Sequence, residues 1–268
     1  MAEIGHDYEL VVIGGGNMGA ALLGGLLRDG IVTAEQVAVV ELSDERRQVV
    51  AAEFPRVLVS ESIPTCCAAV LAVKPPAIAE VAAAAVAGGA QRVLSIAAGI
   101  TTASLRAACG DGVDVVRSMP NTPAMVGKGV SAICTDAKSD PAVLDWAEEL
   151  LTAVGMVFRV DEEHFDAVTG LTGSGPAYVF AFAEALITAG AEAGLPEEVL
   201  EPMVTQLLSG SSALLAAQGN PAGLREAVTS PGGTTAAGLN VFNDQGLRAL
   251  VANAVAAAKT RSRELGAS

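Results

Sequence analysis

Along the first 160 residues, short runs of Val, Leu, Ile and Ala alternate with longer segments of mixed polarity. The apolar runs fall at residues 10–13, 37–40, 57–59, 69–73, 93–96, 113–116, 130–133 and 156–160. Several lack the alternation of a strand with one wet face. A continuous apolar run is how a strand reads when helices cover both faces of its sheet. The segments between them, such as 18–27, 44–53 and 142–151, have helical composition. This alternation predicts an α/β unit built on a doubly wound, mostly parallel sheet.

After residue 160 the pattern changes. Residues 176–193, 197–217 and 239–265 are long, Ala-rich and helical in composition, and no strand is expected. The reading is therefore two domains, 1–160 and an all-helical 161–268, with the boundary near Asp161. Val179, Phe180, Phe182, Ala183, Leu186 and Ile187 make one helix apolar around most of its circumference. Such a helix is buried on more than one side, either inside its own domain or at a subunit interface. Small residues allow close helix approach, and homo-oligomerisation is the favoured expectation.

The longest charge-free stretch, 202–224, is long enough for a membrane span. It carries Thr205, Gln206, Ser209, Ser211, Ser212, Gln218 and Asn220, so a helix buried in protein is expected and no membrane partner. The first ten residues contain Glu3, Asp7 and Glu9 and lack the basic-then-apolar order of a secretory leader.

Charge narrows the partners. The formal net charge is −14, which argues against a nucleic-acid partner, because phosphate neutralisation needs clustered Lys and Arg. An anionic ligand must then be held by backbone N–H groups and a few local cations. Aromatic residues are only 3%, so Ala, Val, Leu and Ile must build the core. Cys66, Cys67, Cys109 and Cys134 form no zinc or disulfide pattern and read as small buried hydrophobes in a reducing, cytoplasmic setting. With His6 and His164 alone, neither a Ser-His-Asp triad nor a metal-histidine cluster can be assembled, and no metal is expected. Residues 142–258 contain no lysine.

The sharpest motif follows the first predicted strand. Gly14, Gly16 and Gly19, with Gly15, Asn17 and Met18 between them, form G-x-G-x-x-G at the start of a helix. The first glycine permits the tight turn, the second lets a pyrophosphate approach, and the third packs helix on strand. Free N–H groups at the helix start favour the phosphates. This is a Rossmann-type dinucleotide signature. Glu41 ends the second strand, where an acid bonds the ribose 2′-OH and favours NAD. Ser43, Arg46 and Arg47 follow at once and offer a site for a 2′-phosphate, so the choice between NADH and NADPH stays open.

Further strand ends border the same crevice: Ala72-Val73-Lys74-Pro75, then Ala97 and Ala98, then Asn121 and Thr122 in a loop stiffened by Pro120 and Pro123. In the helical region, 172–178 opens the first long helix, with Ser174 as a capping hydroxyl. Residues 229–235 precede the last helix and offer hydroxyls and N–H groups suited to a carboxylate. A capped helix without ligand is the alternative for both. With neither a helical-domain lysine nor a strong histidine acid, hydride transfer to an electrophilic C=N bond fits, because a protonated imine carries its own charge.

Together these motifs resemble the pyrroline-5-carboxylate reductase family. The matching pieces are 14–20, 72–75, 95–99, 119–124, 173–178 and 230–235, in the family's order and over nearly the whole chain. The resemblance implies a Rossmann-type sheet followed by an all-α dimerisation domain. It also implies reduction of 1-pyrroline-5-carboxylate to L-proline by NADPH or NADH, the last step of proline biosynthesis, in a homodimer within a larger ring. By the same resemblance, residues 14–20 and 72–75 hold the cofactor, and Asn121 and Thr122 border the nicotinamide. Ser230, Gly232, Gly233 and Thr234 hold the carboxylate of the cyclic imino acid. Thr235 bonds the imine nitrogen as candidate proton donor, and Glu162 stands near the substrate. Glu41 and Ala227 depart from the family's usual residues. Three other readings are a β-hydroxyacid dehydrogenase, which needs a helical-domain lysine, a non-catalytic NAD(P)-binding sensor, and a reductase of a six-membered or sulfur-containing imine.

Overall fold

The computed structural model describes residues 7–266. His6 and most of the segment read for a leader lie outside them. The chain forms two compact units. One runs to Ser174 and takes back the chain from Ala257; the other is Gly175–Ala256. The division thus falls after the boundary expected near Asp161, and the C-terminal turns are counted with the first unit.

All eight strands read from the sequence are present. They are β1 (Tyr8–Ile13), β2 (Val37–Val40), β3 (Leu58–Ser60), β4 (Cys66–Leu71), β5 (Arg92–Ser95), β6 (Asp114–Met119), β7 (Gly129–Thr135) and β8 (Gly155–Arg159). Their order is β3-β2-β1-β4-β5-β6-β7-β8. Every neighbouring pair is parallel except β6 and β7. The first six strands follow the dinucleotide-fold order 3-2-1-4-5-6, with the direction of winding changing at β1 and β4.

Five helices separate the strands: α1 (Asn17–Arg28), α2 (Asp44–Glu53), α3 (Ile78–Ala87), α4 (Thr102–Cys109) and α5 (Val143–Thr152). Alternate strand residues face opposite cores. Leu10, Val12, Val37, Val39 and Val70 meet Leu22, Leu23 and Leu26 of α1 and Ala147 and Leu151 of α5. Val11, Ile13, Ala38, Val40 and Leu71 meet Ile78 and Ala82 of α3 and Leu105 of α4. Covering both faces explains the continuous apolar runs, and each fully buried Val or Leu contributes about 1.5–3 kcal/mol.

Beyond β8 come a short turn, Glu162–His164, and α6 (Phe165–Val168). A π-helical turn at Thr169–Gly173 follows, marked by the Ser174 N–H donating to the Thr169 carbonyl at 2.8 Å. Ser174 has helical backbone, φ −85°, rather than the extended backbone of an N-cap. The capping role expected of it is therefore not what the structure shows.

The second unit holds α7 (Gly175–Glu192), α8 (Glu197–Gln218), α9 (Pro221–Ala227), α10 (Thr234–Asp244) and the start of α11 (Leu247–Gly266). The single helix expected over 239–265 is two. Gly246 adopts φ +73°, which ends α10 and restarts the chain as α11. In α7 none of the residues is buried: Phe180 is 63% and Val179 51% exposed. The first of the two fates expected for that helix, burial inside its own domain, is excluded. Among the described residues, no helix is long and apolar enough to cross a membrane.

Candidate active site

Register brings the glycine turn and its neighbours together. Ile13 pairs with Val40 on one side and Leu71 on the other, so β2, β1 and β4 end level. The residues just beyond, Glu41, Gly14 and Ala72, therefore share one edge. The Gly14 N–H donates to the Val40 carbonyl and the Ala72 N–H to the Ile13 carbonyl, each at 2.7 Å. Gly14 has φ +112°, and a Cβ there would sit 2.5 Å from the Ala72 oxygen. Neither the turn nor the approach of β4 tolerates a side chain. A Cβ on Gly19 would strike the Gly14 carbonyl, so helix and turn touch directly.

Gly16 is the opposite case. A Cβ there would meet nothing within 4 Å, so its outer face is open. Gly16 is the N-cap of α1 and brings no side-chain cap. The first-turn N–H groups of Asn17, Met18 and Gly19 have no intrahelical partner by helix geometry. This is a cradle fitted to a pyrophosphate, with anion affinity from backbone dipoles.

Gly15 differs from its two neighbours. Its N–H donates to Glu41 Oε2 at 3.0 Å, and the Ser43 N–H donates to Glu41 Oε1 at 2.9 Å. Arg46 Nε donates to the Gly15 carbonyl. Arg47 donates to the carbonyls of Glu41 and Leu42 at 2.9 and 2.8 Å and pairs with Asp44 at 3.2 Å. The Ser43 hydroxyl accepts the Arg46 N–H as the N-cap of α2.

The remaining residues expected to meet the cofactor follow the ends of β4, β5 and β6. Ala72 and Val73 are half-buried, and Lys74 and Pro75 are exposed at the entry to a short turn before α3. Ala97 is buried and Ala98 exposed. A cavity of about 680 Å³ lies against this edge, lined by Pro75, Pro76, Ala98, Gly99, Thr169 and Ser262 among others. Thr122 is exposed, but Asn121 is buried and its amide is engaged. Asn121 accepts the Val130 N–H at 2.8 Å and donates to the Thr172 carbonyl at 3.0 Å, tying β7 to the π turn.

Glu162 is likewise engaged inside the first unit. It accepts the Thr102 N–H at 2.7 Å and the Thr102 hydroxyl at 2.6 Å, at the start of α4. It also accepts from Arg117 at 3.0 Å, whose guanidinium lies 4.4 Å from the centre of the Phe165 ring. Burial opposes the Glu162 charge, but these hydrogen bonds outweigh it and hold its pKa below the usual glutamate value. The family resemblance implies a place for Glu162 near substrate; in the structure its carboxylate oxygens accept from Thr102 and Arg117.

The residues expected to hold substrate lie in the second unit. Gly233 is the N-cap of α10 without a side-chain cap, and its N–H donates to the Ser230 carbonyl at 3.0 Å. Gly232 has φ +72°, which closes the turn. Ser230, Thr234 and Thr235 are exposed, so hydroxyls and first-turn N–H groups converge at one helix start.

The four cysteines are free. Burial pushes Cys66 and Cys109 up to about 11 and Cys134 to about 12. Asp161, Glu163 and His164 bring ligand-type atoms within 4.8 Å of one another, a grouping common among exposed acidic residues without an ion. All three are exposed.

A glycine turn at the switch point of a 3-2-1-4-5-6 sheet, followed by an all-helical unit, defines a dinucleotide-binding oxidoreductase fold. Residues 9–99 match the family model "NADP oxidoreductase coenzyme F420-dependent", and residues 162–265 match "Pyrroline-5-carboxylate reductase dimerisation". The pyrroline-5-carboxylate reductase of Pseudomonas aeruginosa is 41% identical over 264 residues, covering 96% of each chain. Among solved structures, the Coxiella burnetii reductase superposes with a TM-score of 0.88 at 31% identity, covering 97% of this chain and 98% of that one. The Plasmodium falciparum reductase, solved with NADP bound, gives 0.83 at 28% identity, covering 98% and 100%. The chain belongs to the pyrroline-5-carboxylate reductase family.

Proposed function

We propose that the protein reduces 1-pyrroline-5-carboxylate to L-proline with a nicotinamide dinucleotide, as the last step of proline biosynthesis. The observation that carries this is a pair of helix starts whose N-cap is a glycine without a side-chain cap. One, at Gly16, is shaped for a pyrophosphate, and one, at Gly233, is shaped for a carboxylate. Near-full-length similarity to named reductases supports the substrate.

The N–H groups of Gly16, Asn17 and Met18 hold the pyrophosphate, and Ala72, Val73, Lys74, Pro75, Ala97 and Ala98 shape the crevice beyond it. Ser230, Gly232, Gly233 and Thr234 hold the substrate carboxylate. The bound nicotinamide supplies a hydride to the imine carbon. The Thr235 hydroxyl bonds the imine nitrogen and relays to it one proton from solvent, and hydride addition to the resulting protonated imine gives the CH–NH of proline. A protonated imine is already electrophilic, so orientation is the main demand on the protein. Thr122 borders the nicotinamide, and Asn121 supports that loop from behind.

The helical unit pairs two copies of the chain. The exposed Val179, Phe180 and Phe182 of α7 support this, because such a surface is unfavourable in water. The dimer is the repeating unit of a larger homo-oligomer, and the setting is the cytoplasm, consistent with four free thiols.

The test follows nicotinamide absorbance with NADH and NADPH in turn, with and without pyrroline-5-carboxylate. Substrate-dependent oxidation with proline as product is expected. Absence of oxidation with either cofactor rejects the activity. Nucleotide binding without turnover would favour the sensor reading, and turnover of a β-hydroxyacid the dehydrogenase one.

A further inference from the structure

We propose that Glu41 makes this protein bind NADH in preference to NADPH. The inference rests on the dinucleotide reading of the glycine turn and adds the choice between the two cofactors.

The end of β2 is where the adenosine ribose of a dinucleotide lies in this fold, and an acid there accepts from the ribose 2′-OH. Two features fix Glu41 in that position. Its backbone N–H donates to the Ser60 carbonyl at 3.0 Å, anchoring it on β3. Its carboxylate is steered onto the glycine turn by the N–H groups of Gly15 and Ser43. A carboxylate has about four acceptor sites, so these two bonds leave room for ribose hydroxyls without rearrangement. The acid is oriented before ligand arrives, which lowers the ordering cost of binding.

A 2′-phosphate entering the same place would bring negative charge against this carboxylate. It would need an arginine, and the sequence offers Arg46 and Arg47. The structure shows Arg47 held through both terminal nitrogens and Arg46 bonded through Nε. Arg46 Nε donates to the Gly15 carbonyl, inside the glycine turn itself. Arg47 is held by the Glu41 and Leu42 carbonyls and by Asp44, with Glu61 3.9 Å away. Ser43, the other candidate, caps α2. Asp44 and Glu61 thus lie against the Arg47 guanidinium, which already has partners. Recruiting Arg47 to a 2′-phosphate would cost its bonds, and with either arginine the Glu41 carboxylate stays in place beside the added charge.

The deciding measurement is calorimetric titration of the whole protein with ADP and with 2′,5′-ADP, which carry the adenosine end without the nicotinamide. Titrations with NADH and NADPH, read by fluorescence, accompany it. We expect ADP and NADH to bind at least about tenfold more tightly than their 2′-phosphorylated counterparts. Equal or tighter binding of 2′,5′-ADP and NADPH overturns the proposal. No binding of any nucleotide would overturn both the proposal and the dinucleotide reading beneath it, and so differs from a wrong ratio. In Glu41→Ser the ratio should move at least about tenfold toward the phosphorylated ligands. An unmoved ratio in a folded variant assigns the choice elsewhere. If that variant does not fold, the ratio in the unmodified protein still decides.

Discussion

Replacing Glu162 by alanine tests whether this residue holds the first unit together or contacts substrate. Its carboxylate receives two bonds from Thr102 and one from Arg117. Arg117 is buried, with its side chain 8% exposed, and its charge otherwise meets the face of Phe165. Removing one member of a buried ion pair costs about 3–5 kcal/mol, because the remaining charge is left uncompensated. The Glu162 side chain is 34% exposed, so water can enter the gap, and the lower end, about 3 kcal/mol, is expected. For a chain of this size that lowers Tm by about 6–12 °C. Glu162→Gln keeps an acceptor for Thr102 and loses the charge, so roughly half the effect is expected.

The pH dependence has a defined sign. The folded-state pKa of Glu162 is lowered, so its stabilisation is fully present above the ordinary glutamate value of 4.5 and is lost as pH falls through the folded value. The Tm gap between the parent protein and Glu162→Gln should be largest near neutral pH and narrow below 4.5. Thermal unfolding followed by circular dichroism measures both. A Tm unchanged in Glu162→Ala, together with a raised KM for the imino acid, would refute this account and return Glu162 to the substrate.

Three further outcomes follow from the geometry. Gly14→Ala should destabilise the protein by at least about 2 kcal/mol in denaturant unfolding and weaken nucleotide binding, since φ +112° and the Ala72 carbonyl both exclude a side chain. Normal stability would show that the turn can relax. Thr235→Ala should reduce turnover by roughly ten- to a thousandfold if the hydroxyl orients or protonates the imine nitrogen, and an unchanged kcat removes that role. Thiol titration near neutral pH should modify half-buried Cys67 first. Cys66, Cys109 and Cys134, buried and pushed up to about 11, 11 and 12, should react only after unfolding. Rapid labelling of all four in the native protein would contradict their burial.

The strands and the glycine turn were legible because their signals are local. A sheet covered on both faces writes continuous apolar runs, and the turn depends on residues that have almost no side chain. The break at Gly246 was harder to see. It sits in a stretch whose composition favours helix on both sides, and one glycine does not reveal its φ. The π turn at Thr169–Gly173 has the composition of the helices around it. The roles of Glu162 and Asn121 were out of reach for another reason. Glu162 meets Thr102 across 60 positions and Asn121 meets Thr172 across 51, contacts that only the folded chain creates. Glu41 was found by its spacing from the glycines, but the Arg46 bond to Gly15 follows from the register of β1 with β2, and those of Arg47 from how the chain turns into α2.

The closing turns of α11 belong to the first unit, where the Ser262 hydroxyl donates to Asp166 at 2.7 Å across 96 positions of sequence. A ribosome therefore releases that last contact only after the whole helical unit has emerged. A fragment stopped at Ser174 would leave Asp166 without this partner, so the nucleotide-binding half gains this contact only at the end of synthesis.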